Sequence, residues 1–334
     1  MMFYEPYSRR GERRERRREG RGCAPRALWF VFKLVFKLAV LALVLALIAY
    51  ALPPGLFNVE PETDLSIASG LPDSYVNILV LGVDEDRGNS QRSDSMMILS
   101  VGYNSVKLTS ILRDTVADID GHGRGKINGA YAYGGAELAM RTVNQTFGMN
   151  ITKYVVVSYQ AVALLVDAVG GVDVVISEKE MEHININAEP YAYIPGIEEY
   201  LGYPVQPLEE YSSDGETPVH LNGIQALSYA RIRKLDSDFT RTSRQRRVVQ
   251  AVLTSMRARL ADPTMYAKLL RILQDTVRTN MGAVEIASLG LKTLFCGEIG
   301  QLRLPVDGTY DDNGSSIAID ADANARVLRE FIYG

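Results

Sequence analysis

From Ala27 to Leu52 the chain reads ALWFVFKLVFKLAVLALVLALIAYAL, an apolar run interrupted only by Lys33 and Lys37. As a helix at roughly 1.5 Å per residue, it exceeds the roughly 30 Å of hydrocarbon in a bilayer. Both lysines lie nearer its N-terminal end, where they can snorkel to the interface. Residues 1–37 hold nine Arg and two Lys against four Glu, so 11 − 4 gives +7; with a net charge of -4 overall, the rest carries -11. The positive-inside rule then keeps the Arg-rich head cytoplasmic and places everything after Pro53 outside. A cleaved signal peptide is the rival, with Ala49-Tyr50-Ala51 as a loose cleavage site. The length of the run and the extended basic head favour a retained anchor. The expected organisation is a basic cytoplasmic tail (1–26), a transmembrane helix (27–52), a stalk marked by Pro53, Pro54, Pro61 and Pro72 (53–74), and an extracellular domain (75–334) in a single-pass membrane protein.

The tail RRGERRERRREGRGCAPR is low in complexity, and its expected partner is anionic lipid. Nucleic acid is not expected, because no aromatic platform or recognition fold accompanies the arginines. The two cysteines, Cys23 and Cys296, fall on opposite sides of the expected membrane, so the external domain folds without a disulfide.

Beyond the stalk, YVNILVLGV (75–83) is a continuous apolar run and reads as a buried strand. SMMILSVG and SVKLTSIL follow as two strands around a turn at Tyr103-Asn104. AELAMRTVNQTFG (136–148) reads as a helix, TKYVVVSY as a strand, QAVALLVDAVGG as a helix and GVDVVI as a strand. This alternation predicts an α/β layered domain. Residues 178–220 are acidic, carry prolines and tyrosines, and show no sustained period, so they read as one long loop region. Helices are expected at 221–230, 241–260, 263–279, 283–294 and about 321–332, with short strands at QLRLPV and SSIAID before the last.

Familiar catalytic signatures are missing. The three histidines are scattered, with no HExxH or Cys/His cluster, which argues against zinc. There is no GxSxG elbow. GHGRGK (121–126) has the wrong spacing for a phosphate loop, and Ile127 stands where a Mg²⁺-holding hydroxyl would be needed. What remains is charge at strand ends. The first strand delivers Asp84, Arg92-Ser93-Asp94 sit just before the second, and the third delivers Arg113-Asp114. Lys126 and Asn128 come in the next loop. Ligands of α/β sheets gather beyond strand ends. Asp84 and Asp94 together suit a hard ion such as Mg²⁺ or Mn²⁺, which takes one or two carboxylates beside phosphate oxygens.

The stretch YARIRKLDSDFTRTSRQRR (229–247) adds six Arg and one Lys beside two Asp. Arg rather than Lys fits a phosphate with a rigid fork of donors. Arg231 and Arg233 face one way if extended, and Arg241, Arg244 and Gln245 fall on one helical face. The alternative is that these arginines only pair with Asp236, Asp238 and loop acids.

At these residues the chain closely resembles the LytR-CpsA-Psr family of bacterial cell envelopes. The matching text is NILVLGVDEDRGNSQRSDSMMILSV, SILRDT, KINGAYAYGGAELAMRTVNQTFGMNITKYVVV, LVDAVGGVDV and LNGIQALSYARIRKLDSDFTRTSRQRRVV, most of residues 77–250 in family order. The resemblance implies an α/β/α sandwich around a central mixed sheet. It also implies transfer of a glycopolymer, such as teichoic acid or capsule, from a polyprenyl-pyrophosphate-linked donor to peptidoglycan. It puts the metal on Asp84 and Asp94, and the pyrophosphate on Arg92, Arg113, Arg231, Arg233, Arg241, Arg244 and Gln245. Lys126 joins the pyrophosphate set, and Asp84, Asp94, Arg92 and Arg113 the catalytic set. Leu112 stands where the family usually has Pro. A prenyl tail would need apolar walls, expected from Val155–Val157, Ala161–Val169 and MYAKLLRILQDTV. A pyrophosphatase, and a non-enzymatic binder of anionic polymer or regulator, are the competing readings.

Overall fold

A computed structural model of the chain describes residues 64–84, 92–192, 214–233, 235, 237–297 and 299–334. The expected tail, the membrane helix, residues 53–63 of the stalk and the middle of the 178–220 segment lie outside them. Among the described residues no helix is long and apolar enough to cross a membrane.

The strands are β1 (Val76–Val83), β2 (Ser93–Val101), β3 (Val106–Ile111), β4 (Val116–Ile119), β5 (Gly123–Lys126), β6 (Lys153–Ser158), β7 (Val172–Val175), β8 (Pro218–Leu221), β9 (Val277–Thr279), β10 (Ile299–Leu304), β11 (Tyr310–Asp312) and β12 (Ile317–Ile319). The helices are α1 (Gly129–Phe147), α2 (Tyr159–Ala168), α3 (Glu178–Ala192), α4 (Gly223–Arg231), α5 (Asp238–Ala258), α6 (Pro263–Thr276), α7 (Ala283–Phe295) and α8 (Ala321–Tyr333). Six strands make one mixed sheet in the order β10-β3-β2-β1-β6-β9. β1 is antiparallel to β2 and parallel to β6, so the apolar first strand runs through the middle.

Alternation along the strands gives the sheet two faces. Leu79, Leu81, Met96, Ile98, Ile111 and Val156 pack under α1 and α8, against residues such as Val143, Phe147 and Leu328. Ile78, Met97, Val101, Val106 and Leu108 face the other way, toward Leu289 of α7 and Val249 and Leu253 of α5. A separate core joins α2, α3, α4, α5 and α6 with the β7–β8 hairpin. Gly223, at the start of α4, lies so close to α2 that a Cβ would sit 2.1 Å from the Ala163 carbonyl oxygen. Only glycine permits that approach.

Several expectations change. The 178–220 segment is not one loop: Glu178–Ala192 is helical, and Pro218–Leu221 is a strand paired with β7. Met181 and Ile184 bury α3 in the separate core, a stripe too short to give the sequence a clear period. GHGRGK is part of the β4–β5 hairpin. Helix α1 begins at Gly129, seven residues before the expected Ala136, and bends at Gly134-Gly135. The stalk's end is docked: Leu65 is buried, its carbonyl accepts from Asn144, and Arg141 pairs with Asp64.

Candidate phosphate-binding site

The charges expected from the sequence converge at one end of the sheet. Asp84 follows the last residue of β1, and Asp94 lies at the start of the antiparallel neighbour β2, where Val83 pairs with Ser93. Arg113 and Asp114 follow β3. Ser158 closes β6 and caps α2 by accepting from the Ala161 amide, which fixes Tyr159 as the first residue of that helix. Helix α4 starts in a capping box between Asn222 and Gln225, is buried on nearly every side and ends at Arg231. The chain then leaves extended through Ile232 to Arg233, and α5 brings Asp238, Arg241 and Gln245 back over β2.

Asp94 is the hub. Its Oδ1 accepts from Arg113 at 2.7 Å, and its Oδ2 accepts from the Tyr159 hydroxyl at 2.7 Å and from Arg233 at 2.8 Å. Its carbonyl accepts from Arg241 at 3.3 Å. Burial alone would raise the Asp94 carboxyl, but the Tyr159 hydrogen bond, Arg233 and Arg113 together outweigh it and lower the group to about 2. Burial and the adjacent Asp94 push the Tyr159 hydroxyl up, so it stays a donor. Arg231 pairs with Asp84 at 3.3 Å and lies 3.8 Å over the Tyr159 ring. Tyr159 was not singled out from the sequence; it is 65 residues from Asp94, and only the β6–α2 junction joins them.

Around this hub the described charges form a shared network. Arg113 also meets Asp238 at 3.1 Å, Lys126 meets Asp114 at 2.8 Å, and Arg241 meets Asp238 at 2.9 Å. Among the described residues, five cations (Arg113, Lys126, Arg231, Arg233, Arg241) meet four carboxylates (Asp84, Asp94, Asp114, Asp238). Arg92 lies exposed beside them, just before β2. Arg241 is only 2% exposed, yet its Nε and Nη1 have no hydrogen-bond partner among the described residues. Burial, with Arg113 and Arg233 nearby, lowers its pKa against the pull of Asp238. A buried guanidinium with two idle donors is costly unless something anionic completes it.

Arg244 departs from the expectation. It is 1% exposed, its Nε donates to Glu180 of α3 at 2.7 Å, and its Nη1 reaches the Ile232 carbonyl at 3.4 Å. In a helix it is rotated by about 60° from Arg241 and 100° from Gln245, enough to turn it into the α3 side. Gln245 stays on the site side and accepts from the Ser95 hydroxyl at 2.9 Å. Asp236 lies outside the described residues.

Below the charges the sheet is incompletely covered. Val80, Gly82, Ser95, Val155 and Val157 share the α5/α7 face by register, and all are only half-buried although they belong to central strands. Their sequence neighbours Leu81, Val83, Met96 and Val156, on the opposite face, are sealed. Val162 and Leu165 of α2, with Val252 and Met256 of α5, are half-buried beyond. Of the expected apolar walls, Val155 and Val157 therefore line an accessible strip, whereas Val156 is core. Ala161, Ala163, Leu164, Val166, Met265, Tyr266, Leu269 and Ile272 are buried as well.

No group of three or more metal-ligating side chains occurs among the described residues. Asp84, just after β1, and Asp94, on β2, are both about nine-tenths buried and are of the type that suits an ion that keeps waters and shares phosphate oxygens.

A mixed sheet with helices on both faces and an arginine-rich cluster at the strand ends defines an α/β protein with a candidate oxyanion site. The chain belongs to the LytR-CpsA-Psr family, whose model (LytR_cpsA_psr family) matches residues 58–331. It is 30% identical over 270 residues to the regulatory protein MsrR of Staphylococcus aureus, covering 78% of this chain and 75% of that one. It is 35% identical over 239 residues to the polyisoprenyl-teichoic acid–peptidoglycan teichoic acid transferase TagU of Bacillus cereus, covering 70% of each. Its fold is similar to that of TagT of B. subtilis, with TM-score 0.58 and 21% identity over 84% of this chain and 97% of that one.

Proposed function

We propose that the protein is a membrane-anchored transferase that moves a glycopolymer, such as teichoic acid or capsular polysaccharide, from a polyprenyl-pyrophosphate carrier to peptidoglycan. Its tail (1–26) would be cytoplasmic, residues 27–52 would span the membrane, and the domain from 75 on would stand outside. The observation that carries the reading is Arg241: a buried guanidinium whose Nε and Nη1 have no partner among the described residues, near a half-buried apolar strip. A pyrophosphate would occupy the donors and its prenyl tail the strip, at roughly 0.8 kcal/mol per buried CH₂. The TagU relative's stated activity supports the same chemistry.

In this reading an acceptor hydroxyl attacks the phosphorus that carries the glycan. The new P–O bond forms as the bond to the bridging oxygen breaks, and polyprenyl phosphate departs. Arg92, Arg113, Lys126, Arg231, Arg233 and Arg241 hold the phosphates and stabilise the charge growing on the leaving group. Arg231 is held in place by Tyr159, and Gln245 by Ser95. Asp94, bound by Tyr159, Arg113 and Arg233, orients the arginines, and one of the two carboxylates, Asp84 or Asp94, takes the attacking hydroxyl's proton. Asp84 and Asp94 would also hold Mg²⁺ or Mn²⁺, which when bound supplies neutralisation of pyrophosphate charge.

The test is transfer by the full-length protein in bilayers, from a polyprenyl-pyrophosphate glycan to added peptidoglycan. Arg241→Ala should lower the rate by about 10²–10³, the cost of losing a donor to transition-state charge, with the melting temperature unchanged or raised. A wild-type rate in that variant would remove the clamp. Polyprenyl phosphate released without transfer would make the protein a hydrolase.

A further inference from the structure

On the far side of α5 from Arg241, a cavity of about 520 Å³ lies between this helix and the edge strand β10. Its polar lining comes from Thr240, Ser243 and Arg246 of α5, Gln301 and Arg303 of β10, and Asp307 just beyond it, with Phe239 as an aromatic wall. Arg246 is 9% exposed, donates through Nε to Gln301 at 3.1 Å, and has a buried Nη1 with no partner among the described residues. Arg303 lies 4.5 Å over the Phe239 ring. Its partner, Asp307 at 2.5 Å, is 85% exposed on its side chain and easily displaced. Burial, then Arg303 and Arg247, lower the Arg246 pKa, and the carboxylate in the lining, Asp307, pairs with Arg303 rather than with Arg246. The cavity is much larger than a lone ion, and its hydroxyl, amide and aromatic lining suits a sugar ring.

The cavity opens at the same end of the sheet as the site. Phe239 follows Asp238, which pairs with Arg113 and Arg241. Arg303 lies opposite Ser110 in register, three residues before Arg113.

We propose that this cavity is a second subsite, which binds a carboxylate or phosphate carried on a saccharide, with the anion between Arg246 and Arg303. Its use during transfer rests on the proposed function: the anionic sugar belongs either to the peptidoglycan acceptor or to the donor polymer. Binding of the anion itself does not rest on it.

The experiment is calorimetric titration of the full-length protein in detergent with N-acetylmuramic acid, glycerol 3-phosphate and the neutral N-acetylglucosamine. An anionic probe should bind, the neutral sugar should not, and Arg246→Gln and Arg303→Gln should each weaken binding at least tenfold. Lys268→Gln, an exposed cation of α6 outside the cavity lining, should leave that affinity unchanged. Preference for the carboxylated sugar assigns the subsite to the acceptor; preference for glycerol 3-phosphate assigns it to the donor polymer. If Arg246→Gln does not fold, Arg303→Gln, at the solvent edge, decides. Absence of anionic binding, or binding unaltered in Arg303→Gln, overturns the subsite. Failure of the transferase reading would appear separately, as unaltered polyprenyl phosphate release in Arg113→Ala.

Discussion

The two faces of the central sheet are built from alternate residues of the same strands, yet they are finished differently. Under α1 and α8, Leu79, Leu81 and Val83 are sealed. Under α5 and α7, Val80 and Gly82 on the same strand, and Val155 and Val157 beside them, stay half-buried. α5 itself is responsible: near its start it carries arginines rather than apolar side chains. One face is a packed core that secures the fold. The other gives up packing for space and holds unpaired donors at its mouth. In such a layout stability and ligand binding should separate by residue parity along one strand.

The largest effect should come from the closed face. Leu81→Ala removes a fully buried side chain and should cost about 2–5 kcal/mol of stability, whereas Val80→Ala should cost less than about 1 kcal/mol. Val80→Phe should be accommodated in the strip while weakening binding of a polyprenyl pyrophosphate, measured by displacement of a fluorescent lipid. Equal destabilisation by Leu81→Ala and Val80→Ala, read from urea denaturation, would break the distinction between the faces.

A finer contrast lies within α5. Arg241 and Arg244 are three residues apart and both buried, but Arg244 pairs with Glu180 of α3 whereas Arg241 shares Asp238 with Arg113. Breaking the Arg244–Glu180 pair strands a buried charge, so Arg244→Ala should lose roughly 3 kcal/mol of stability. Arg241→Ala should lose little or none. If the two variants melt alike, the division of α5 into a site side and a structural side fails.

Much of this arrangement was legible in the sequence because it rests on local patterns. Apolar runs gave β1, β2, β3 and β6, and helical spacing gave α2 and the helices from α4 onward, except that the expected 263–279 helix stops at Thr276 and Val277–Thr279 form β9 beside β6. Strand-end logic collected Asp84, Asp94, Arg113, Lys126, Arg231, Arg233 and Arg241 at one end of the sheet. What escaped depends on distant partners. Helix α3 has only a brief apolar stripe, and Glu180 is a buried acid whose meaning comes from Arg244, 64 residues on. Tyr159 reads as the polar start of an apolar helix until the β6–α2 turn puts its hydroxyl on Asp94. Helical spacing grouped Arg244 with Arg241, but a rotation of about 60° decides which layer a long side chain enters.

The smallest expected effect tests the mouth of the open face through pH. The Asp94 carboxyl is lowered to about 2, from roughly 3.9 in an unfolded chain, because Tyr159, Arg233 and Arg113 overcome its burial. A depressed carboxyl stabilises the fold where it is ionised in both states, above about pH 4. That contribution fades as pH falls through the folded value near 2. It should be on the order of 1 kcal/mol, since the site is partly open to solvent and screened. Asp94→Asn should therefore be less stable than wild type at pH 6, and the gap should narrow as pH falls from 4 toward 2. The deficit of Leu81→Ala, which contains no titrating group, should stay constant across the same range. Urea midpoints at pH 6, 4 and 2.5 for the three proteins supply the comparison. A pH-independent gap for Asp94→Asn would mean that the carboxylate is not held by its arginines, and that the mouth of the open face is less charged than its geometry indicates.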